Sequence, residues 1–355
     1  MKVVILPFNR QNPYQQSLAD SLSSKGVELY FDKLAFPFAI LTIAFKYWKV
    51  DILHVHWVNE LAASCKNRFW AIMNSIVFAI GLALLKIHKL CGEKIVWTVH
   101  NVVSHEPLIF HVELFLRRIL AKLCDKIIVH SLSAKRAVED AYKISESSKI
   151  VVIPHGNYIN SYKNTIGKDE ARQNLRLSKE DKVFLFFGNI RTYKGIFEII
   201  EAFRQLNLEN TKLIIAGKPL TNKIAEEAKR ACGGNKNIIF SFGFVPNDMV
   251  QAYMNAADIV VLPYRDVATS GAAILAMSFG KPIIAPNIGP IPEILDEEGS
   301  FLYESPKKGA LLNALHEAMK SDLKKMGNHN RSRAEIFGWG EIADKTFEVY
   351  KECLK

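Results

Sequence analysis

Runs of consecutive apolar residues alternate along the chain with stretches in which apolar positions recur every three or four residues. The first run, KVVILPF (2–8), precedes YQQSLADSLSSKG, a helical pattern that Gly26 closes. VELYF and DILHVHWV (51–58) follow, then a long apolar stretch, KIVWTVHN (94–101), the helical HVELFLRRILAKLC and DKIIVHS (125–131). SAKRAVEDAY then leads to KIVVIPHG (149–156). Near-continuous apolar strands separated by helices are the mark of a parallel sheet covered on both faces. The polar stretch NYINSYKNTIGKDEARQNLRLSKED interrupts this pattern and places a domain boundary near residue 165. The pattern restarts with KVFLFFGNI, KLIIAGKP, NIIFSFG, DIVVLPY and KPIIAP, and ends in the helical WGEIADKTFEVYKECL. The expected fold class is α/β: two doubly wound parallel-sheet halves, 1–165 and 166–338, with a final helix, 339–355, that buries one face.

Composition fits this plan. A chain of 355 residues with 49% hydrophobic and 23% charged residues can build two cores. Its five cysteines, at 65, 91, 124, 232 and 353, are widely spaced and form no CxxC pair. That usage suits a reducing, cytoplasmic compartment rather than a disulfide framework or structural zinc. Met1 leads directly into an apolar strand, so no signal peptide is expected.

The net charge of +10 is uneven. Residues 1–165 carry 20 Lys/Arg against 12 Asp/Glu, and residues 166–355 carry 26 against 24. A basic first half could face an anionic membrane or an anionic substrate; no nucleic-acid motif supports the third possibility. The 17-residue run FWAIMNSIVFAIGLALL (69–85) lies between Arg68 and Lys86, at the lower edge of a membrane span. Asn74, Ser75 and Gly81 weaken that reading. A helix buried against the sheet is expected, compatible with one end touching a membrane surface.

Open parallel sheets bind ligands beyond the carboxyl ends of their strands. The residues there are Asn9 to Asn12, His54 and His56, His100 and Asn101, His155 to Asn157, Gly188 to Gly195, Gly217 and Lys218, and Thr269 to Gly271. In FFGNIRTYKG (186–195), Arg191 and Lys194 stand three apart before a helix start, which can grip a diphosphate. Taken alone it could equally be a solvated basic turn. In YRDVATSGAAILAMSFG, Ser270 and Gly271 open a helix whose first N–H groups are unbonded, though a Ser cap on a core helix reads the same way. Two such mouths at neighbouring strand ends favour a diphosphate ligand. His54 and His56 share a strand face and suit satisfied core positions. His100, at a strand end, is placed to meet a substrate hydroxyl, and His155 suits a structural role near the hinge. GxxxxGK[ST], GxGxxG and GxSxG are all absent, which excludes Walker-type, dinucleotide-dependent dehydrogenase and serine-hydrolase readings.

With these residues in order, the chain resembles the retaining, GT-B fold glycosyltransferases of the family 4 type over nearly its whole length. The carriers are DILHVHW, WTVHN, DKIIVHS, VVIPHGNY, FFGNIRTYKGIFEIIEAF, LIIAGKP, FSFGFVPNDMVQAYMNAADIVVLPY, TSGAAILAMSFGKPIIAPNIGPIPEIL and WGEIADKTFEVY. The resemblance implies Rossmann-like domains facing an interdomain cleft, with the terminal helix crossing back to the first. It implies a nucleotide-sugar donor in the second half and a glycan acceptor in the first. Arg191 and Lys194 would hold the donor diphosphate beside Asn189 and the N–H groups of Ser270, Gly271 and Ala272. The loop 243–247, with Phe244 and Val245, would flank the nucleobase near Gly188 and Gly217. His100 would meet the transferred sugar, and Asn12, His56 and Asn101 would lie on the acceptor side. No metal or other cofactor is implied, because protein cations stabilise the leaving diphosphate.

The sequence departs from the family pattern in three places. Val267 and Leu275 stand where relatives often place two glutamates, so contacts to sugar and ribose hydroxyls fall to Asp266, Thr269 or Glu293. NRQNPY replaces a Gly-Gly pair after the first strand, and Asn189 stands where an arginine is frequent. The expected activity is transfer of a sugar from a UDP- or GDP-sugar to a glycan acceptor, lipid-linked at the inner membrane face. The rivals are a GT-B nucleotide-sugar epimerase and a non-catalytic domain binding a glycan or protein partner.

Overall fold

The apolar runs become two six-stranded, all-parallel sheets, seen in a computed structural model that describes residues 1–31, 50–58, 68–103 and 108–355. His105 and Cys65 lie outside the described residues. The first sheet comprises β1 (Lys2–Leu6), β2 (Glu28–Phe31), β3 (Ile52–Val55), β4 (Lys94–Thr98), β5 (Lys126–Val129) and β6 (Ile150–Val152), in the order β2-β1-β3-β4-β5-β6. The second comprises β7 (Lys182–Phe187), β8 (Thr211–Gly217), β9 (Ile238–Phe242), β10 (Ile259–Val261), β11 (Ile283–Pro286) and β12 (Ser300–Tyr303), ordered β12-β11-β10-β7-β8-β9. Strand order reverses at β1 in one sheet and at β7 in the other.

Each strand is apolar throughout because both faces are covered. In the first sheet, Val4, Leu53, Ile95 and Ile127 pack with Phe78, Leu82 and Leu85 of the helix Arg68–Leu90 and with Leu116 and Leu120 of the helix Phe110–Leu123. Their chain neighbours Val3, Ile52, Val96 and Ile128 face the other way. There they meet the helices Pro13–Ser23 and Trp339–Leu354, as the two-residue period of a strand requires. Each such aliphatic side chain withdrawn from water contributes about 1.5–3 kcal/mol.

Two compact units result, Met1–Gly156 with Trp339–Lys355, and Asn157–Gly338. The last helix is tied into the first unit: Tyr350 Oη meets His54 Nδ1 at 2.6 Å, and Lys25 pairs with Asp344. Gly156 lies against the Trp339 ring, where a Cβ would come within 2.5 Å. The boundary at Gly156/Asn157 corrects the reading at 165. The polar stretch resembles a linker, yet Tyr158, Ile159 and Tyr162 pack on the second core. Asn157 N–H donates to Phe337 O at 2.9 Å, and Tyr158 N–H to Ser278 Oγ at 2.9 Å. Thr165 N–H reaches Gln251 Oε1 at 2.8 Å. The 23-residue helix Arg68–Leu90 is neither wholly buried nor free: one face closes the core and the opposite face is exposed.

Candidate active site

The second sheet reverses order between β7 and β10, and the two loops that open there carry the densest chemistry. After β7 the chain turns at Gly188 (φ 119°), passes Asn189, Ile190 and Arg191, and makes a short 3-10 turn over Thr192–Lys194. Gly195 (φ 73°) then starts the helix Ile196–Leu206. A Cβ on Gly195 would fall 1.8 Å from Pro263 O, so only glycine lets this loop lie against the end of β10. The end of β8 is equally close: a Cβ on Gly217 (φ 144°) would sit 1.8 Å from Gly188 O. Arg265 N–H donates to Tyr193 O at 2.8 Å, fastening the two loops together.

This closeness brings residues 70 positions apart into one group. Lys194 Nζ lies 3.7 Å from the position of a Cβ on Gly188 and 5.8 Å from the centroid of the Tyr264 ring. Ser270 Oγ donates to Tyr264 Oη at 3.4 Å and accepts from Ala273 N–H at 3.2 Å, capping the helix Gly271–Ser278. Helical geometry leaves the N–H groups of Gly271 and Ala272 without a carbonyl partner. Burial, together with the neighbouring Arg191 charge, pushes the Lys194 ammonium down to about 8. Neither cation has an ion-pair partner among the described residues. Two adjacent cations without a counter-charge, beside a helix start, form a site that a diphosphate would neutralise.

The remaining residues sort by exposure. Phe244 follows β9 and is 73% exposed, a bare aromatic ring at the strand edge next to Gly217, whose carbonyl accepts from Gly243 N–H. Val245 packs partly on the second core. Asn189, Asp266 and Glu293 are exposed. Thr269 Oγ1 donates to Ala268 O at 2.8 Å. The Glu293 loop approaches the β10 loop at Gly289, where a Cβ would be 2.8 Å from Val267 O. Leu275 is buried in the second core, so a carboxylate there would face apolar neighbours. Tyr264, which joins Lys194 to Ser270, is the Tyr of the PY…TSG pattern that, with YKG, marks a subgroup of the family 4 type, and the sequence alone assigns it no site role.

In the first unit a histidine follows each of four adjacent strands: His56 after β3, His100 after β4, His130 after β5 and His155 after β6. All four are buried and surround Tyr14, with ring centroids 4.8–5.9 Å from its own. His56 Nδ1 and His100 Nε2 are 3.2 Å apart, and Trp57 stacks on His100 at 3.9 Å. A carbonyl can only accept, so His130 Nδ1 and His155 Nδ1 are the protonated nitrogens that donate to Ile153 O and Gly156 O. Burial holds all of them neutral: His130 is lowered to about 4 and His155 to about 3, while His56 and His100 lie well below 6.5. His56 Nε2 and His130 Nε2 are buried with no partner among the described residues. No three of these groups converge as a metal-ligand set among those residues. His54 differs, with both nitrogens satisfied by Tyr350 and Thr98, as a structural histidine should be. Asn12 caps the helix Pro13–Ser23 through Tyr14 N–H at 3.0 Å, so its side-chain oxygen serves the fold. Asn101 lends its carbonyl to Arg117. His130 carries no site role in the sequence pattern, and for His155 that pattern favours a structural role over a ligand contact. Their signal was the repeated strand-ending His in HVHW, TVHN, IVHS and IPHG.

Residues 167–334 match the family model described as glycosyl transferases group 1, and residues 66–157 match that of glycosyltransferase family 4. The chain is 26% identical over 351 residues to the GDP-mannose:glycolipid 4-beta-D-mannosyltransferase of Xanthomonas campestris pv. campestris, covering 98% of this chain and 90% of that one. It is 28% identical over 241 residues to the lipopolysaccharide 1,2-N-acetylglucosaminetransferase of Salmonella typhimurium, covering 64% and 62%. Sucrose-phosphate synthase from Thermosynechococcus elongatus shares the fold with a TM-score of 0.76 at 16% identity, over 99% and 98% of the two chains. The chain is a glycosyltransferase with the GT-B fold, family 4-like in sequence.

Proposed function

We propose that this glycosyltransferase moves a sugar from a nucleoside-diphosphate sugar to a lipid-linked glycan during assembly of a cell-surface glycoconjugate. One observation carries the donor half of this reading. Arg191 and Lys194 stand together with no counter-ion among the described residues, beside the helix start at Ser270 and at the strand switch of the second sheet. When the bond between sugar and diphosphate breaks, negative charge develops on the leaving phosphate. Arg191, Lys194 and the N–H groups of Gly271 and Ala272 stabilise it. These protein cations supply what a divalent metal would, so turnover is proposed to persist in chelator. Phe244 offers its exposed ring to the base, and Asp266 or Glu293 takes over hydroxyl contacts that the apolar Val267 and Leu275 cannot make. His100 serves the transferred sugar.

The lipid-linked acceptor is supported by the two relatives named for glycolipid and lipopolysaccharide transfer. GDP-mannose is therefore the first donor to try, ahead of UDP-, ADP- and dTDP-sugars. The family 4 resemblance favours retention, with the leaving phosphate taking the acceptor's proton on the same face. The name of the Xanthomonas relative favours a second reading. GDP-mannose carries its sugar α-linked, so a β-linked product requires inversion and a general base. The unpartnered Nε2 of His56 or His130 is chemically able to fill that role. NMR of the first-formed product separates the two, an α linkage meaning retention and a β linkage inversion. The proposal as a whole fails if no donor is bound or cleaved.

A further inference from the structure

We infer that the helix Arg68–Leu90, with the helix Phe110–Leu123 packed beside it, is a docking surface that lies flat on an anionic phospholipid bilayer. It rests on the lipid-acceptor reading for its purpose, but not for its test. Ala71, Phe78, Leu82 and Leu85 are at most 3% exposed and hold the first helix on the sheet. The opposite stripe, Phe69, Ile72, Ile76 and Ile80, is 49–64% exposed. No charged residue falls between Arg68 and Lys86. The neighbouring helix adds Val112 and Phe115, the latter 60% exposed. Both helices bury their opposite faces in the same core, so these exposed apolar residues lie on the side away from the sheet, and apolar exposure on this scale marks a binding surface.

The charges identify the occupant. The exposed ionic groups on these two helices are cations: Arg68 at one end, Lys86 at the other, and Lys122 on the second helix. Their one carboxylate, Glu113, is 2% exposed and paired with Arg117 at 2.7 Å. A protein interface ordinarily carries about one hydrogen bond per 100–200 Å², and the side chains of Phe69, Ile72, Ile76 and Ile80 offer none. A lipid surface needs only apolar depth and a cationic rim. Arg68 and Lys86 are about 27 Å apart along the axis at 1.5 Å per residue. With the helix in the plane of the membrane, both ends reach headgroup phosphates. A spanning orientation would strip Phe78, Leu82 and Leu85 from the core.

The test is flotation of the full chain with vesicles of phosphatidylcholine, with and without phosphatidylglycerol. Wild type is expected to float with the anionic vesicles, at least tenfold more than with neutral ones, and to be released by high salt. Ile76→Glu/Ile80→Glu should lower partitioning at least tenfold while its melting temperature and its response to nucleoside diphosphates stay unchanged. Phe115→Glu, on the second helix, should lower it as well and guards against misfolding of the first variant. The inference is overturned if wild type stays in the soluble fraction on every lipid. It is also overturned if the variants float as wild type does. A wild-type dimer that Ile76→Glu/Ile80→Glu converts to monomer would assign the face to a second copy instead, and resistance to carbonate extraction would assign it to a span. Flotation without transfer to any lipid-linked acceptor would refute the acceptor reading and leave the surface standing.

Discussion

Replacing Lys194 by methionine separates the stability of the donor site from its affinity, with opposite signs. Burial and Arg191 lower this ammonium from its ordinary 10.5 to about 8, so the folded protein holds a charge it disfavours. Each unit of depression corresponds to about 1.4 kcal/mol. Lys194 as a whole is only half-buried, and water relieves part of that cost, which leaves about 1–2 kcal/mol. Lys194→Met keeps the stem volume and removes the charge, so the ligand-free second unit should melt about 2–8 °C higher at pH 7. The unfolded chain binds this proton more tightly between about pH 8 and 10.5. Wild-type stability therefore gains from rising pH in that window, and the advantage of the variant should vanish by its upper end.

The same substitution removes a charge-assisted contact to the diphosphate, worth about 1.5–3 kcal/mol or roughly 10- to 100-fold in affinity. At a ligand concentration 100 times the wild-type Kd, stabilisation of about 2.7 kcal/mol should shrink to about 0.4–1.4 kcal/mol. Thermal melts with and without GDP and UDP, from pH 7 to 10.5, read both effects. A variant that is less stable than wild type at pH 7, yet keeps the full nucleotide response, would mean that the Lys194 charge neither strains the fold nor meets the diphosphate.

Gly217→Ala places a methyl carbon 1.8 Å from Gly188 O at φ 144°, so denaturant unfolding of the second unit should show a loss above about 2 kcal/mol. Ser270→Ala removes the cap on Ala273 N–H and should cost about 0.5–2 kcal/mol in the same assay. Phe244→Ala, at a largely exposed ring, should change stability little and weaken nucleoside-diphosphate binding by about 1–3 kcal/mol in calorimetry. In the first unit, His54, His130 and His155 have folded values of about 3 to 4. The unfolded chain takes up these protons first, so stability is full above about pH 6.5 and falls as pH drops toward 4. Melting followed by tryptophan fluorescence should show this decline, and His130→Gln should make it shallower.

Much of this architecture is legible in the sequence because parallel strands buried on both faces are uninterrupted apolar runs. The strand ends then follow, and with them Gly188 to Gly195 and Thr269 to Gly271. What the pattern hides is contact between distant segments. Tyr264 looks like the end of a strand, and only the fold reveals its place between Lys194 and Ser270. β12 is four residues long and follows an acidic turn, too short to stand out. Residues 157–165 are polar by composition but anchored by Tyr158 and Tyr162, so they read as a linker and pack as a domain edge. The four strand-end histidines recur in the sequence, yet a single histidine is ordinarily a core residue, and their convergence on Tyr14 depends on strand order.

Whether Arg191 and Lys194 drive metal-free sugar transfer is read from product release with a panel of GDP-, UDP-, ADP- and dTDP-sugars, measured in EDTA with a lipid-linked glycan acceptor. Wild type should release the nucleoside diphosphate from at least one donor, and Arg191→Ala/Lys194→Ala should lower this release by about 100-fold or more. Failure of every donor to bind or turn over, or a double variant as active as wild type, would contradict that role of the two cations.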